Sequence, residues 1–97
     1  MAIKSIKHKG LKLLFIKGDV SKVQQQLVNK IINLLIVIDE LEKVPEDLKG
    51  IKSLEPHKLK GGLSEYWAIS VSGNYRIIFK FDNQNREASD IDLIDYH

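Results

Sequence analysis

The side chains best suited to chemistry in this chain are two histidines, two or three lysines and one arginine, and they fall in three places. His57, Lys58 and Lys60 share one segment, Arg76 stands in the middle of an alternating apolar stretch, and Asp95-Tyr96-His97 come last. Imidazole gives and takes protons near neutral pH. Guanidinium presents a planar fork to phosphate oxygens, and ammonium presents a point charge. Cleaving RNA calls for such a set: a base to take the proton of a 2′-hydroxyl, an acid to protonate the departing 5′-oxygen, and cations to hold the charge that builds on phosphorus. Each residue alone also has a plainer reading. A histidine in a lysine-rich loop is usually solvated, Lys58 and Lys60 would be surface charges, Arg76 would pair with a carboxylate such as Asp92, and the last three residues would be a frayed tail. His57, Asp95 and His97 have the donor types for a metal, yet no tight ligand spacing supports one. His8 reads as a strand-edge residue and Trp67 as core.

These groups need elements to position them. Ile3 to Lys7 alternates apolar and basic, as a short strand does, and Leu11, Leu13, Leu14 and Phe15 follow at helical spacing until Gly18 stops them. Asp19 or Ser21 is placed to cap a long amphipathic helix whose apolar positions Val23, Leu27, Ile31, Leu34, Ile38 and Leu41 step by three or four. Val28, Ile32, Leu35 and Val37 widen its buried face. Val44-Pro45 ends it, because proline lacks an amide hydrogen and disfavours helix in the residue before it, and a turn of helix is expected at Glu46 to Leu48. Beyond Gly50 the period becomes two: Trp67, Ile69 and Val71, then Tyr75, Ile77, Phe79 and Phe81 after Ser72-Gly73-Asn74. Placing both sets on one face of a hairpin needs an odd-numbered connection, hence a three-residue loop or a bulge. The opposite face then carries Tyr66, Ser70, Arg76 and Lys80. In the last strand, Ala88 to Tyr96, Ile91 and Leu93 should face inward. Strict alternation sets Tyr96 beside Arg76 and sends Asp95 and His97 the other way, so a bulge or twist at the strand end is expected if all three are to converge.

Composition narrows the class. The chain of 97 residues has room for one domain, 1–97. It has no cysteine, which removes disulfides, thiolate metal sites and cysteine nucleophiles and fits a reducing cytoplasm. Its longest apolar run, Leu34 to Ile38, is too short to cross a bilayer, so a soluble, cytoplasmic protein with no membrane partner is expected. The net charge of +2 is modest, but residues 1–17 hold five lysines and no acid while residues 82–97 hold five acids and one arginine. Folding should bring a basic first half beside an acidic last strand.

Four segments then stop looking independent: Lys4-Ser5-Ile6-Lys7-His8-Lys9-Gly10-Leu11-Lys12-Leu13-Leu14-Phe15, His57-Lys58-Leu59-Lys60-Gly61, Tyr66-Trp67-Ala68-Ile69-Ser70-Val71-Ser72-Gly73-Asn74-Tyr75-Arg76-Ile77 and Asp95-Tyr96-His97. In that order, across essentially the whole chain, they closely resemble the HigB toxins of the RelE and ParE superfamily. The resemblance implies an α+β, RelE-like fold: a short N-terminal strand and two helices packed on one face of a mainly antiparallel sheet of about four to five strands. It implies a toxin that cleaves mRNA in the ribosomal decoding site, with His57, Lys60, Arg76, Asp95, Tyr96 and His97 as catalytic residues and no cofactor or metal. Lys58, Tyr66 and Lys80 are the expected substrate contacts. Lys58 stands where relatives are expected to carry proline, Gly61-Gly62-Leu63-Ser64-Glu65 replaces a more polar, basic stretch, and Tyr75 stands where tryptophan is frequent. The implied partners are the ribosome, mRNA and a HigA-type helix-turn-helix antitoxin, with operator DNA reached only through the antitoxin complex. A non-catalytic toxin acting on DNA gyrase, like the ParE relatives, is the alternative, and an inactive binding module is a further one.

Overall fold

Alternation of β-branched and aromatic side chains makes the central hairpin. In a computed structural model, which describes residues 2–95, strand β2 (Tyr66–Ser70) pairs with β3 (Tyr75–Asp82) in the register Trp67↔Phe79 and Ile69↔Ile77. The Val71 N–H donates to the Tyr75 carbonyl at 3.0 Å, which leaves Ser72-Gly73-Asn74 as the three-residue connection the apolar parity requires. A two-residue strand β1 (His57–Lys58) joins the outer side of β2, and β4 (Glu87–Asp95) joins β3, giving an antiparallel sheet in the order β1-β2-β3-β4.

Strand β4 carries one extra residue. Ile78 stands opposite Asp92 but Lys80 opposite Ser89, and Asp90 takes the left-handed conformation at φ 52°. Aspartate tolerates that region better than most side chains. The bulge lets Ala88 and Ile91, three positions apart, both face the core, where each is fully buried. The N-terminal segment copies this spacing, bridging Ile3 to Ala88 and Ile6 to Ile91 in parallel, while Ser5 Oγ accepts the Asp90 N–H at 2.9 Å. The expected first strand is thus an edge segment that touches β4 at two bridges. It brings Lys4 Nζ to 3.9 Å from Glu87, the basic start beside the acidic end.

The helices cover one face. Helix α1 (Lys9–Lys17) ends as expected at Gly18, whose φ of 69° lets its N–H and that of Asp19 reach the Leu14 and Leu13 carbonyls. It begins differently: His8, read above as a strand-edge residue, is the N-cap, its Nδ1 accepting the Leu11 N–H at 3.2 Å. Gly10 is needed here, because a Cβ would lie 2.8 Å from the Lys22 carbonyl.

The long helix is shorter than its apolar pattern. A 3₁₀ turn at Gln25–Leu27 leads into α2 (Val28–Asp39). Asp19 spends its Oδ1 on the Ser21 N–H and hydroxyl, at 3.0 and 2.6 Å, and so closes a local turn instead of capping the helix. The far end stops well before Pro45, where the N-terminal segment docks: Ala2 N–H donates to the Asp39 carbonyl at 2.8 Å and Ile3 N–H to Asp39 Oδ1 at 3.2 Å. Helix α3 (Glu46–Lys49) is the expected extra turn. Leu11, Ile31, Leu35 and Ile38 from the helices meet Ile69, Ile77, Phe79 and Ile91 from the sheet in one fully buried cluster.

A side chain fastens the loop after α2 to the β3–β4 turn. Asn83 Oδ1 accepts the Val44 N–H at 2.8 Å and its Nδ2 donates to the Val44 carbonyl at 2.9 Å, the pairing a neighbouring strand would supply. Asn83→Ala should cost about 1–3 kcal/mol by leaving both groups of the buried Val44 unpaired, visible as a lower denaturation midpoint. The turn beside it depends on pH. Asp82 is held below its ordinary 3.8 by the Asn85 N–H and side-chain amide, and by the Gln84 N–H. A depressed carboxylate stabilises the fold above its unfolded value, and that contribution disappears as pH falls through the folded value. Stability should therefore drop as pH falls below 3.8, and less steeply in Asp82→Asn, as followed by thermal melts across an acid series.

Candidate functional site

The face of the sheet away from the helices is not uniformly polar. Tyr66, Ala68 and Ile78 form a small buried island on it, flanked by Leu59 and Ile94. At its margin His57, Lys58, Leu59, Lys60, Leu63 and Ile94 line a cleft of about 470 Å³. The cleft therefore joins the lysine-rich segment after α3 to the end of β4.

His57 stands opposite Ala68 and so shares the cleft's face of the sheet. Its Nδ1 lies 3.1 Å from the Glu55 carbonyl. A carbonyl only accepts, so this bond requires the proton on Nδ1 and makes Nε2 the proton-exchanging nitrogen of the neutral ring. Lys60 is exposed and extended, at φ −116° and ψ 166°, immediately before the 3₁₀ turn Gly61–Leu63. Gly61 supplies the left-handed φ of 68° that turns the chain there.

Arg76 lies on the same face, opposite Ser70 on one side and Ile94 on the other. Its guanidinium turns back to the hairpin loop, with Nη1 donating to the carbonyls of Ser72 at 2.6 Å and Tyr75 at 3.0 Å. Two strand spacings and two residues of offset put the Cα atoms of Arg76 and His57 roughly 12 Å apart, a gap that two long side chains and a phosphate between them can bridge. Asp95 goes elsewhere. It is exposed and stands opposite Tyr75, on the parity that faces the helices. The bulge in β4 lies upstream at Asp90, and the pairs Leu93–Ile77, Ile94–Arg76 and Asp95–Tyr75 follow without interruption. Tyr96 and His97 lie outside the described residues.

The three expected substrate contacts divide. Lys58 is paired with Trp67 and has its Nζ 5.5 Å from the indole centroid, while donating to the Ser64 carbonyl at 3.2 Å. Tyr66 is buried, with Lys80 Nζ 5.3 Å above its ring. Lys80 is also 3.4 Å from Asp90 and 3.8 Å from Glu65. The bond to Asp90, followed by the influence of Tyr66 and Glu65, holds its ammonium above the usual lysine value. Among the described residues no three His, Asp or Glu side chains gather in a group able to hold a metal.

One connection had no signal in the sequence. Gln24 Nε2 donates to the Tyr75 hydroxyl at 2.8 Å across 51 positions, tying the start of the second helical region to the strand pair that ends in Asp95.

With this geometry in place, known proteins give it a context. The profile of a family described as RelE-like toxin of type II toxin-antitoxin system HigB matches residues 4–97. This chain belongs to the HigB-like toxin family. Endoribonuclease HigB of Proteus vulgaris is 45% identical over 95 residues, covering 98% of this chain and 99% of that protein. The fold is shared more widely. The YoeB–YefM complex from Staphylococcus aureus superposes with a TM-score of 0.62 at 23% identity, over 100% of this chain and 97% of the other. The RelBE2 toxin-antitoxin complex from Mycobacterium tuberculosis does so at 0.55 and 9%, over 99% and 96%. The α+β, RelE-like architecture is therefore that of the toxin family, and a HigB-like toxin of a type II system has an antitoxin as its partner.

The two lysines of this HigB-like toxin should behave differently toward RNA. For a single strand, each phosphate contact contributes about 0.7 to the slope of log affinity against log salt. Lys60→Gln should lower that slope by about one such contact, whereas Lys80→Gln, already compensated by Asp90 and Glu65, should leave it unchanged in a fluorescence titration with a short oligoribonucleotide.

Proposed function

We propose that this HigB-like toxin is a metal-independent endoribonuclease that cuts mRNA in the ribosomal decoding site and so halts translation. The observation that carries the reading is identity of 45% to an endoribonuclease along the length of both chains. The gyrase-directed alternative has no such relative behind it. The cleft at His57, Lys60 and Ile94, with Arg76 beside it, supports the reading on chemical grounds.

The reaction needs one nucleophile, one leaving group and two proton transfers. The 2′-oxygen attacks phosphorus as its proton passes to a base, the bond from phosphorus to the 5′-oxygen breaks, and an acid protonates that oxygen, leaving a 2′,3′-cyclic phosphate and a 5′-hydroxyl. His97 is the group for the 2′-hydroxyl proton, and His57 is its opposite number through Nε2; Asp95, on the other parity of β4, takes no part in the proton transfers. Lys60 and Arg76 hold the charge that grows on the phosphoryl oxygens, and Tyr96 stacks on or hydrogen-bonds an unpaired base. Lys58, Tyr66 and Lys80 shape the margin where the strand lies. Both proton tasks fall to imidazoles, so the mechanism calls on no cofactor.

The antitoxin is of the HigA, helix-turn-helix type, and operator DNA is reached only through the toxin–antitoxin complex. A ribosomal substrate implies a protein of the cytoplasm. No helix among the described residues is long and apolar enough to cross a membrane.

The test is purified toxin on programmed ribosomes, with transcript 5′ ends mapped by primer extension. His97→Ala should slow cleavage by about 10² to 10⁴, and Arg76→Ala by about 10² or more, with melting curves near wild type. Cleavage by His97→Ala within tenfold of wild type would remove it as acid or base. Intact transcripts accompanied by loss of DNA supercoiling would transfer the reading to gyrase.

A further inference from the structure

The cleft at His57 has one wall that the proton transfers do not use. Leu59, Leu63 and Ile94 line it on its apolar side. Leu59 and Ile94 pack on the island of Tyr66, Ala68 and Ile78, and the Leu59 N–H donates to the Tyr66 carbonyl at 3.1 Å, so both rest on a fixed floor. Leu63 is different. It ends the 3₁₀ turn Gly61–Leu63 and is 45% exposed. The turn that presents it is held on its far side, where the Ser64 N–H donates to the Gly61 carbonyl at 3.2 Å and the Ser64 carbonyl accepts from Lys58 Nζ at 3.2 Å. Contiguous leucine and isoleucine side chains held this way gain by losing water to an apolar surface laid against them.

The rest of the cleft decides what that surface is. Its other lining residues are His57, Lys58 and Lys60, and no carboxylate joins them among the described residues. Glu65, two positions from Leu63, lies 3.8 Å from the Lys80 ammonium instead. The Lys58 ammonium is engaged by the Trp67 ring and the Ser64 carbonyl, while Lys60 is exposed. Across the wall, Arg76 stands opposite Ile94 on the same face of the sheet. The fitting ligand is therefore anionic and has an apolar face. Three side chains make a wall for one ring system, whereas a docked helix, about 10–12 Å across, needs an apolar stripe along its length. An unpaired nucleobase with its phosphate meets both requirements, because every base has a face that sheds water against apolar side chains.

We infer that Leu63, with Leu59 and Ile94, is a base platform: it takes the face of one unpaired base beside the scissile phosphate and holds that nucleotide between Lys60 and Arg76. The inference rests on the reading of this cleft as the RNA site. Aliphatic side chains offer no hydrogen-bonding group, so the platform grips a base by its face and leaves its edge unread. Leu63 therefore contributes to cleavage at every codon, and codon choice is made by other groups.

The test is a cycle between protein and RNA on programmed ribosomes. Leu63→Ser should lower the apparent second-order rate of cleavage about tenfold, by a similar factor for purine and pyrimidine codons. Leu63→Phe, which restores an apolar face, should cleave at the wild-type rate or faster. Thermal melts of both variants should lie near wild type, since the position is exposed. When the mRNA is abasic at the seated position of the codon, Leu63→Ser should become silent, and an abasic residue at either other position should leave the tenfold difference intact. A Leu63→Ser rate within about twofold of wild type would overturn the platform. So would a tenfold loss that persists with an abasic residue at each codon position in turn, which would assign the contact to the ribosome. Failure of the proposed function looks different: a wild-type toxin that cuts no programmed ribosome overturns that reading and the platform together.

Discussion

The extra residue in β4 determines which side of the sheet each later side chain occupies, and its cost is met by one hydroxyl. At Asp90 the backbone enters the left-handed region, and its N–H, released from the ladder, is accepted by Ser5 Oγ. An unpaired amide in that partly buried place would cost about 1–3 kcal/mol, so Ser5 and the bulge are coupled. The N-terminal segment is coupled as well, because its bridges at Ile3 and Ile6 match Ala88 and Ile91 only when the strand is offset by one. With that offset Ile91 and Leu93 join the core, while Asp92 and Ile94 stand on the face of Arg76. Without it every residue after Asp90 would change sides.

That constraint explains how a small sheet carries two apolar layers. The main cluster takes the helices, and the island of Tyr66, Ala68 and Ile78 supports the cleft. An apolar floor beneath polar groups excludes water on one side and strengthens the fields acting above it. Ile94 serves both purposes, closing the island and lining the cleft, and it does so because the bulge gives it the parity of Arg76.

Periodicity made the strands and their faces legible, including the odd-numbered hairpin loop and the inward placement of Ile91 and Leu93. The same reasoning placed Arg76 on the open face, whereas His57 and Lys60 read only as loop residues, since a strand of two residues, His57–Lys58, is too short to show a period. It failed where one residue type serves two purposes. Asp19 and Ser21 are good helix caps, but they bond each other first, so α2 starts later than its apolar pattern. His8 looked like an edge residue because a histidine N-cap has little sequence signature. The bulge was expected at the end of β4 to gather the last residues. It lies at Asp90, where Ala88 and Ile91 both need the core, and the regular pairing beyond it leaves Asp95 beside Tyr75. Contacts joining distant positions, such as Asn83 with Val44 and Gln24 with Tyr75, depend on tertiary placement that no local pattern encodes.

The cations near the cleft are held in three physically different ways, and the difference decides what each can do. Lys58 lies over an indole and Lys80 over a phenol ring, and Lys80 also meets two carboxylates. Carboxylates cancel charge, so a phosphate arriving at Lys80 must compete with Asp90 and Glu65 for the same ammonium. The carbonyls of Ser72 and Tyr75 are dipoles that fix the direction of the Arg76 guanidinium. A guanidinium oriented by the hairpin loop loses little further freedom when a substrate binds, and preorganisation of that kind is what makes a fixed charge effective in a transition state. In the proposed mechanism this fixed direction is what suits Arg76 to the phosphoryl group, on the same face of β3 as Lys80.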